Sequence, residues 1–293
     1  MSGAGPWLPR SPCGPGCLTS GEPTVGLPRR VLRYIAAALL VLAALLVAPM
    51  LAVLGARGRN LVIRWIFVGV LRAFGVRLIV HGRDGLHSPG RGALVVSNHI
   101  SWLDAIAINA VQPMRALAKL EVASWPVLGT LVTRGGSILL DRERLSTLPG
   151  TILELAEAMR SGAQVNVTPE ATTWCGLAAG RFTSATFQAA IDGGVPVRPV
   201  ALRFRGGDGR ETTRPAFIGP ESLIESLRRV ARLRGLVLEM YVCPEIAPGR
   251  AANRRELAAL AEAAVYSALG TDRAPARPRP RPRRAPVLET EPN

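Results

Sequence analysis

Ala93-Leu94-Val95-Val96-Ser97-Asn98-His99-Ile100-Ser101-Trp102-Leu103-Asp104 joins two kinds of local structure. Ala93 to Ser97 is a short apolar run with two β-branched valines, and it reads as a buried strand. Ser101 and Asp104 have the S-x-x-D spacing that opens a helix, expected over Ser101–Val111. A strand that feeds a helix through a short turn is one unit of a layered α/β domain. The same stretch sets a histidine and a carboxylate five positions apart. On a regular helix each residue turns about 100°, so that spacing would put the two side chains on different faces. They meet only if His99 lies in the turn and Asp104 on the first helical turn. Asp104 then caps the helix, accepts a hydrogen bond from His99 Nδ1–H, or does both, because a carboxylate has several acceptor sites. In the second case His99 Nε2 is free to take a proton from a hydroxyl. The chain has only two other histidines, His81 and His87.

Downstream and upstream, the pattern repeats from about residue 76. Strands are expected at Arg77–His81, Ala93–Ser97, Ala116–Lys119, Ser137–Asp141, Gln164–Thr168, Val197–Phe204 and Val237–Val242. Helices are expected near Leu148–Ser161, Thr183–Asp192, Ser222–Arg232 and Arg254–Leu269. Alternation of this kind predicts a layered α/β domain over 76–270.

The N-terminal quarter has a different character. Residues 1–28 are rich in Pro, Gly and Ser and are expected to be disordered. Residues 34–54 carry no charge and are long enough to cross a bilayer as a helix, with Pro49 as a kink. Residues 60–72 are apolar, with Arg64, Arg72 and Trp65, and suit either a helix in the membrane interface or a helix covering the domain. Together, residues 29–75 predict a hydrophobic helical hairpin. Arginines flank both ends of the apolar run, so the positive-inside rule sets no orientation. Residues 271–293 form a Pro/Arg-rich tail, expected to be solvated and disordered.

The 293-residue chain has a formal net charge of +15 and 48% hydrophobic residues. That balance calls for an anionic partner. The apolar N-terminus favours an anionic membrane surface. No aromatic residues interleave the basic tail, so no specific nucleic acid is expected. Four cysteines are scattered. Cys13 and Cys17 make a C-x3-C pair with no second pair to complete a zinc site, so all four read as ordinary thiols in a reducing compartment and no metal is expected. Lys119 is the only lysine in the chain, a compact charge kept against a strong arginine bias.

A resemblance emerges when these segments are taken in order. Asn98-His99-x4-Asp104 resembles the first motif of the glycerolipid acyltransferases, the lysophosphatidic acid acyltransferase family. Lys119 with Glu121 resembles the family's Lys-x-Glu segment. Gly135-Gly136-Ser137-Ile138-Leu139-Leu140-Asp141-Arg142 resembles the second block. Thr168-Pro169-Glu170-Ala171-Thr172-Thr173 resembles the third, usually Phe-Pro-Glu-Gly-Thr-Arg. Val195-Pro196-Val197-Arg198-Pro199-Val200 resembles the fourth.

The resemblance implies an α/β domain with a mixed sheet flanked by helices, and one-step transfer of a fatty acyl group from an acyl-CoA or acyl carrier protein thioester to the hydroxyl of a lysophospholipid. Most simply the acceptor is 1-acyl-sn-glycerol-3-phosphate. The thioester is a co-substrate, and no cofactor is implied. His99, Asp104 and Lys119 would be catalytic, with Lys119 a partner for the oxyanion. Asn98, Arg142, Glu170 and Thr172 would bind the acceptor. The rival readings are ordinary structure: Arg142 in a solvated charge run, and Thr168, Pro169 and Glu170 as a helix start. Gly becomes Ala171 and the family's arginine becomes Thr173, so one phosphate-binding guanidinium is missing. That opens the head group to a lysophosphatidylcholine-type or lyso-ornithine lipid. The cell membrane is the expected location, with the site on the cytoplasmic side.

Overall fold

The computed structural model describes residues 9–86, 90–125 and 128–270. His87 and the tails 1–8 and 271–293 lie outside the described residues. Seven strands form one sheet: β1 (Arg77–His81), β2 (Ala93–Ser97), β3 (Arg115–Lys119), β4 (Ile138–Leu140), β5 (Gln164–Val167), β6 (Val197–Arg205) and β7 (Val237–Val242). Their order is β1-β7-β6-β2-β5-β3-β4. The β6–β7 pair is antiparallel, while β6, β2, β5, β3 and β4 run parallel, as do β1 and β7. The expected mixed sheet is therefore present.

The helices are α1 (Leu27–Val47), α2 (Ala56–Phe74), α3 (Leu103–Val111), α4 (Leu128–Arg134), α5 (Leu148–Arg160), α6 (Phe187–Gly193), α7 (Leu223–Arg232) and α8 (Arg254–Leu269). Alternation along the central strand divides the core. Val95 packs with Leu71 and Phe74 of α2, Leu103 and Ile108 of α3 and Val230 of α7. Leu94 and Val96 face the other layer, with Leu155 and Met159 of α5, Phe187 of α6 and Val265 of α8. Helices thus cover both faces, and β2 is wholly buried between them.

The register aligns the carboxyl ends of four strands. Val96 lies beside Val167, Ala116 beside Asn166, and Leu117 beside Ile138. His99, Ala171, Lys119 and Arg142 all follow this row by two to four residues. Parallel strands therefore deliver all four to one edge of the sheet, where open α/β sheets bind their ligands.

The N-terminal region differs from expectation in two ways. The apolar run 34–54 is not one helix. α1 begins earlier and ends at Val47, with Ala48 capping it before Pro49, and a short 3-10 turn follows over Met50–Ala52. α1 and α2 then form the expected hairpin, close enough that a Cβ on Gly69 would meet Leu40 at 2.8 Å. α2 covers the domain: Phe74 meets Trp102 edge to face at 5.2 Å, and Arg64 donates to Ala110 O at 3.2 Å. Gly75 caps α2 in the left-handed region (φ 68°), where a Cβ would strike the buried Arg33 guanidinium. Arg33 in turn donates to Ala231 O and Leu233 O at the end of α7, fixing the hairpin's base. Away from that base the hairpin is bare: Leu39, Leu42, Leu46, Val53, Leu61 and Trp65 are all exposed. α1, 21 residues with a mean hydropathy of 2.1, is the one described helix long and apolar enough to cross a membrane.

The second difference concerns residues 9–28, expected to be disordered. They form a strap bound to the domain by backbone and hydroxyl partners. Thr19 N donates to Thr213 Oγ1 at 2.8 Å, Thr213 Oγ1 donates to Cys17 O at 2.7 Å, and Glu22 accepts from Thr19 and Thr212. Arg234 N donates to Pro23 O and Val25 N to Arg232 O, both at 2.8 Å. Pro and Gly limit regular structure, but they do not prevent a strand-like edge from pairing with a domain that offers partners.

Candidate active site

β2 ends at Ser97, and the turn that follows is held at nearly every backbone group. His99 N donates to Glu170 Oε2, and His99 O accepts from Trp174 N at 2.8 Å. Ile100 N donates to Asp104 Oδ2 at 2.6 Å, and Ile100 O accepts from Phe217 N at 2.8 Å. The imidazole is thereby fixed by its own backbone before its side chain is considered.

His99 Nδ1 lies 2.9 Å from Asp104 Oδ2, which also accepts from Ser101 N at 2.8 Å. Asp104 thus does both jobs foreseen for it. It closes the turn before α3 through Ile100 and Ser101, and it orients the ring. The reciprocal half of a capping box is missing: α3 starts at Leu103, and Ser101 Oγ reaches Leu103 N instead. Asp104 is buried at 1% exposure while the His99 side chain keeps 26%. A buried carboxylate behind a partly exposed imidazole leaves Nε2 as the reactive nitrogen.

Next to this turn the loop after β5 brings a second group of residues. Ala171 sits at φ 58°, the one non-glycine described residue in the left-handed region. The family's usual glycine at this position has a physical reason, and the alanine here accepts a strain of about 1 kcal/mol. In that conformation Ala171 O receives Arg142 Nη1 at 2.6 Å. Arg142, Lys119, Glu121, Glu143, Ala171 and Thr172 line one open basin, and Pro9 and Arg10 of the strap complete its wall. Partial burial lowers the pKa of Lys119, and the nearby Arg142 charge adds to that; burial likewise lowers Arg142. Three cations in one recess, uncompensated except by Glu121 and Glu143, form an anion-binding surface.

The expected site residues therefore divide. His99 and Asp104 form the dyad. Lys119, Arg142 and Thr172 share the basin, and Lys119 stands two strands from His99, about 10 Å along the sheet edge, on the anion-binding side of the site. Asn98 and Glu170, expected to bind acceptor, face inward. Asn98 Nδ2 donates to Leu202 O at 3.0 Å and its Oδ1 accepts from Leu202 N at 2.8 Å, which clasps β2 to β6 with both ends of the amide used. Glu170, 4% exposed, accepts from His99 N, from Gly180 N at 2.7 Å and from Tyr266 Oη at 3.0 Å. It positions the His99 turn against α8. Burial pushes its carboxyl up to about 8, against the opposing pull of those donors.

The rival reading of Thr168–Glu170 as a helix start does not hold: residues 168–186 are an irregular loop, and α6 begins only at Phe187. Thr173 is accounted for as well. Its hydroxyl donates to Phe217 O, the residue whose N–H holds Ile100. Its position is used to support the catalytic turn and not to meet a ligand. Arg10 is the site residue that motif reading missed, since it lies 109 residues before Lys119 in sequence and no local pattern marks it.

Comparisons with known proteins agree with this geometry. Residues 77–203 match the family model Acyltransferase. A 1-acyl-sn-glycerol-3-phosphate acyltransferase of Neisseria meningitidis is 37% identical over 60% of this chain and 68% of its own length. The chain belongs to the glycerolipid acyltransferase family. A lyso-ornithine lipid O-acyltransferase of Pseudomonas aeruginosa is 32% identical over 75% of this chain and 83% of its own. The crystal structure of the 1-acyl-sn-glycerophosphate (LPA) acyltransferase from Thermotoga maritima superposes with a TM-score of 0.64, covering 83% of this chain and 94% of that one at 16% identity, and so shares the fold. This acyltransferase thus acts on acceptors of the lysophospholipid type.

Proposed function

We propose that the enzyme acylates 1-acyl-sn-glycerol-3-phosphate, with acyl-CoA or acyl carrier protein as donor, at the cytoplasmic face of the cell membrane. The observation that carries this reading is the basin of Arg142, Lys119 and Arg10, an open cationic recess two strands from His99. Arg10 adds a guanidinium from the strap to a chain whose third block has Thr173 where the family has arginine. Guanidinium groups suit phosphate through paired N–H donors.

The residues support the following chemistry. His99 Nε2 takes the proton of the acceptor hydroxyl as that oxygen attacks the thioester carbonyl. The tetrahedral oxyanion collapses with loss of the thiolate, and the imidazolium returns its proton to the sulfur. Asp104 holds the ring and stabilises its positive charge meanwhile. Asp104 Oδ2 has no freedom to turn away, because two backbone N–H groups also bind it. The bare face of α1 and α2 suits insertion into lipid, which would bring a membrane-bound acceptor to the domain.

A lyso-ornithine acceptor is the second reading. Glu121 and Glu143 in the same basin could receive its ammonium group. Turnover of the purified full chain with both lysolipids and with lysophosphatidylcholine separates the readings. Lysophosphatidate should give the highest kcat/KM, and Arg10→Ala should raise its KM several-fold. A preference for the lyso-ornithine lipid, unmoved by Arg10→Ala, would replace the first reading by the second.

A further inference from the structure

The fold changes the meaning of the cysteines. Cys13 and Cys17 lie on the strap, 158 or more residues from Cys175, yet the three sulfur atoms all come within 4.8 Å of one another. Cys13-Gly14-Pro15-Gly16-Cys17 closes as a tight turn, with Cys17 N donating to Gly14 O at 2.9 Å and Leu18 N to Pro15 O at 3.1 Å. That turn aims both of its thiols at the loop after β5. Cys13 and Cys175 are buried, and Cys17 is half-buried at the open side. The second cysteine pair that a zinc site normally needs is thus replaced, for one ligand, by a residue from a distant loop.

We propose that Cys13, Cys17 and Cys175 form a thiolate site for a thiophilic divalent cation of the zinc type, which clamps the N-terminal strap to the catalytic loop. Zn–S bonds of about 2.3 Å in a tetrahedron set sulfur atoms about 3.8 Å apart. The observed spacing reaches that with small side-chain rotations. Two backbone amides already point at the sulfurs: Cys175 N to Cys13 Sγ and Ala178 N to Cys175 Sγ, each 3.3 Å. Amide donors of this kind stabilise thiolate ligands and fix their orientation. On binding, the three thiols release their protons. Three thiolates would leave the fourth position of a tetrahedral cation to water or a small ligand.

The placement gives the clamp a consequence. Cys175 directly follows Thr173 and Trp174, whose backbone and side chain support the His99 turn. Arg10 lies three residues before Cys13 and walls the basin. One cation would therefore fix both the loop that holds His99 and the strap that carries Arg10. Metal uptake does not depend on the proposed acceptor. The kinetic consequence rests on the reading of the basin as the acceptor site.

The test uses the full chain purified in detergent under reducing, oxygen-free conditions. Zinc is measured by inductively coupled plasma mass spectrometry after dialysis, and Co2+ replaces it for spectroscopy. About one zinc per chain and a thiolate-to-cobalt charge-transfer band are expected. Cys175→Ser and the half-buried Cys17→Ser should each abolish both. Cys243→Ser should keep them, since that thiol lies elsewhere, against Ala264 O. Far-ultraviolet circular dichroism confirms that each variant is folded. Zinc well below one per chain in the reduced wild type, or zinc retained by Cys175→Ser, overturns the site. So does a disulfide among the three thiols with no zinc uptake after reduction. Chelation should also raise acceptor KM several-fold through the strap and lower kcat through the loosened His99 turn. Stoichiometric zinc whose removal leaves KM unchanged would overturn the link to Arg10 while leaving the proposed acceptor standing.

Discussion

The two ends of the active edge are built in opposite ways. The dyad at the end of β2 comes from one run, Asn98 to Asp104, at the centre of the sheet, with Asp104 Oδ2 held by His99, Ile100 and Ser101. The basin at the end of β3 and β4 is assembled from four distant pieces: the strap, the end of β3, the turn after β4 and the loop after β5. Proton transfer needs sub-ångström geometry, which a short, locally determined turn supplies. Recognition of a charged group tolerates looser geometry, since Coulomb attraction falls off slowly with distance. The difference predicts which kinetic constant each residue controls.

The largest effect belongs to the dyad. His99→Ala should lower kcat about 10³-fold, the usual size of a lost general base, with acceptor KM little changed. Asp104→Asn should lower kcat about 10²-fold in the same assay, because the ring loses its orienting acceptor. A loss through KM in either variant would break the division between the two regions.

Basin variants come next. Arg142→Ala should raise lysophosphatidate KM about 30-fold, matching the loss of a charge-assisted hydrogen bond of about 2 kcal/mol, while kcat changes little. Steady-state kinetics with a constant donor concentration separates the two constants.

A smaller effect tests the residue between the regions. Glu170 has an ordinary value of 4.5 and is pushed up to about 8 in the fold. The folded state therefore holds a proton that the unfolded chain releases between those values. Unfolding free energy should fall as pH rises from about 4.5 to about 8, by at most about 1.4 kcal/mol per pH unit for this one group, and level off above. Glu170→Gln should remove that part of the slope in denaturant titrations. A slope unchanged by the substitution would show that Glu170 is ionised throughout. The smallest effect is Ala171→Gly, which relieves the φ 58° strain and should raise stability by up to about 1 kcal/mol.

Much of this was legible because it is local. The strands Arg77–His81, Ala93–Ser97 and Val237–Val242 and the helix Arg254–Leu269 fall where β-branched runs and helical periodicity put them. The dyad was legible for the same reason, its partners being five residues apart. α4 leaves no such signal, since its seven residues make only about two helical turns. Motif order says which residues matter but not which way they face, so it places Asn98 and Glu170 on the substrate. Only the sheet shows Asn98 spent on Leu202 and Glu170 spent on His99, Gly180 and Tyr266. Pro and Gly report on local propensity and predict disorder in the strap, whereas its order depends on Thr212, Thr213 and Arg234, about two hundred residues away.

The separation of proton transfer from anion binding is tested most directly by equilibrium binding of lysophosphatidate to the His99→Ala protein. Affinity should stay within about twofold of the wild type although turnover is lost. Loss of binding together with turnover would contradict the division of labour along the sheet edge.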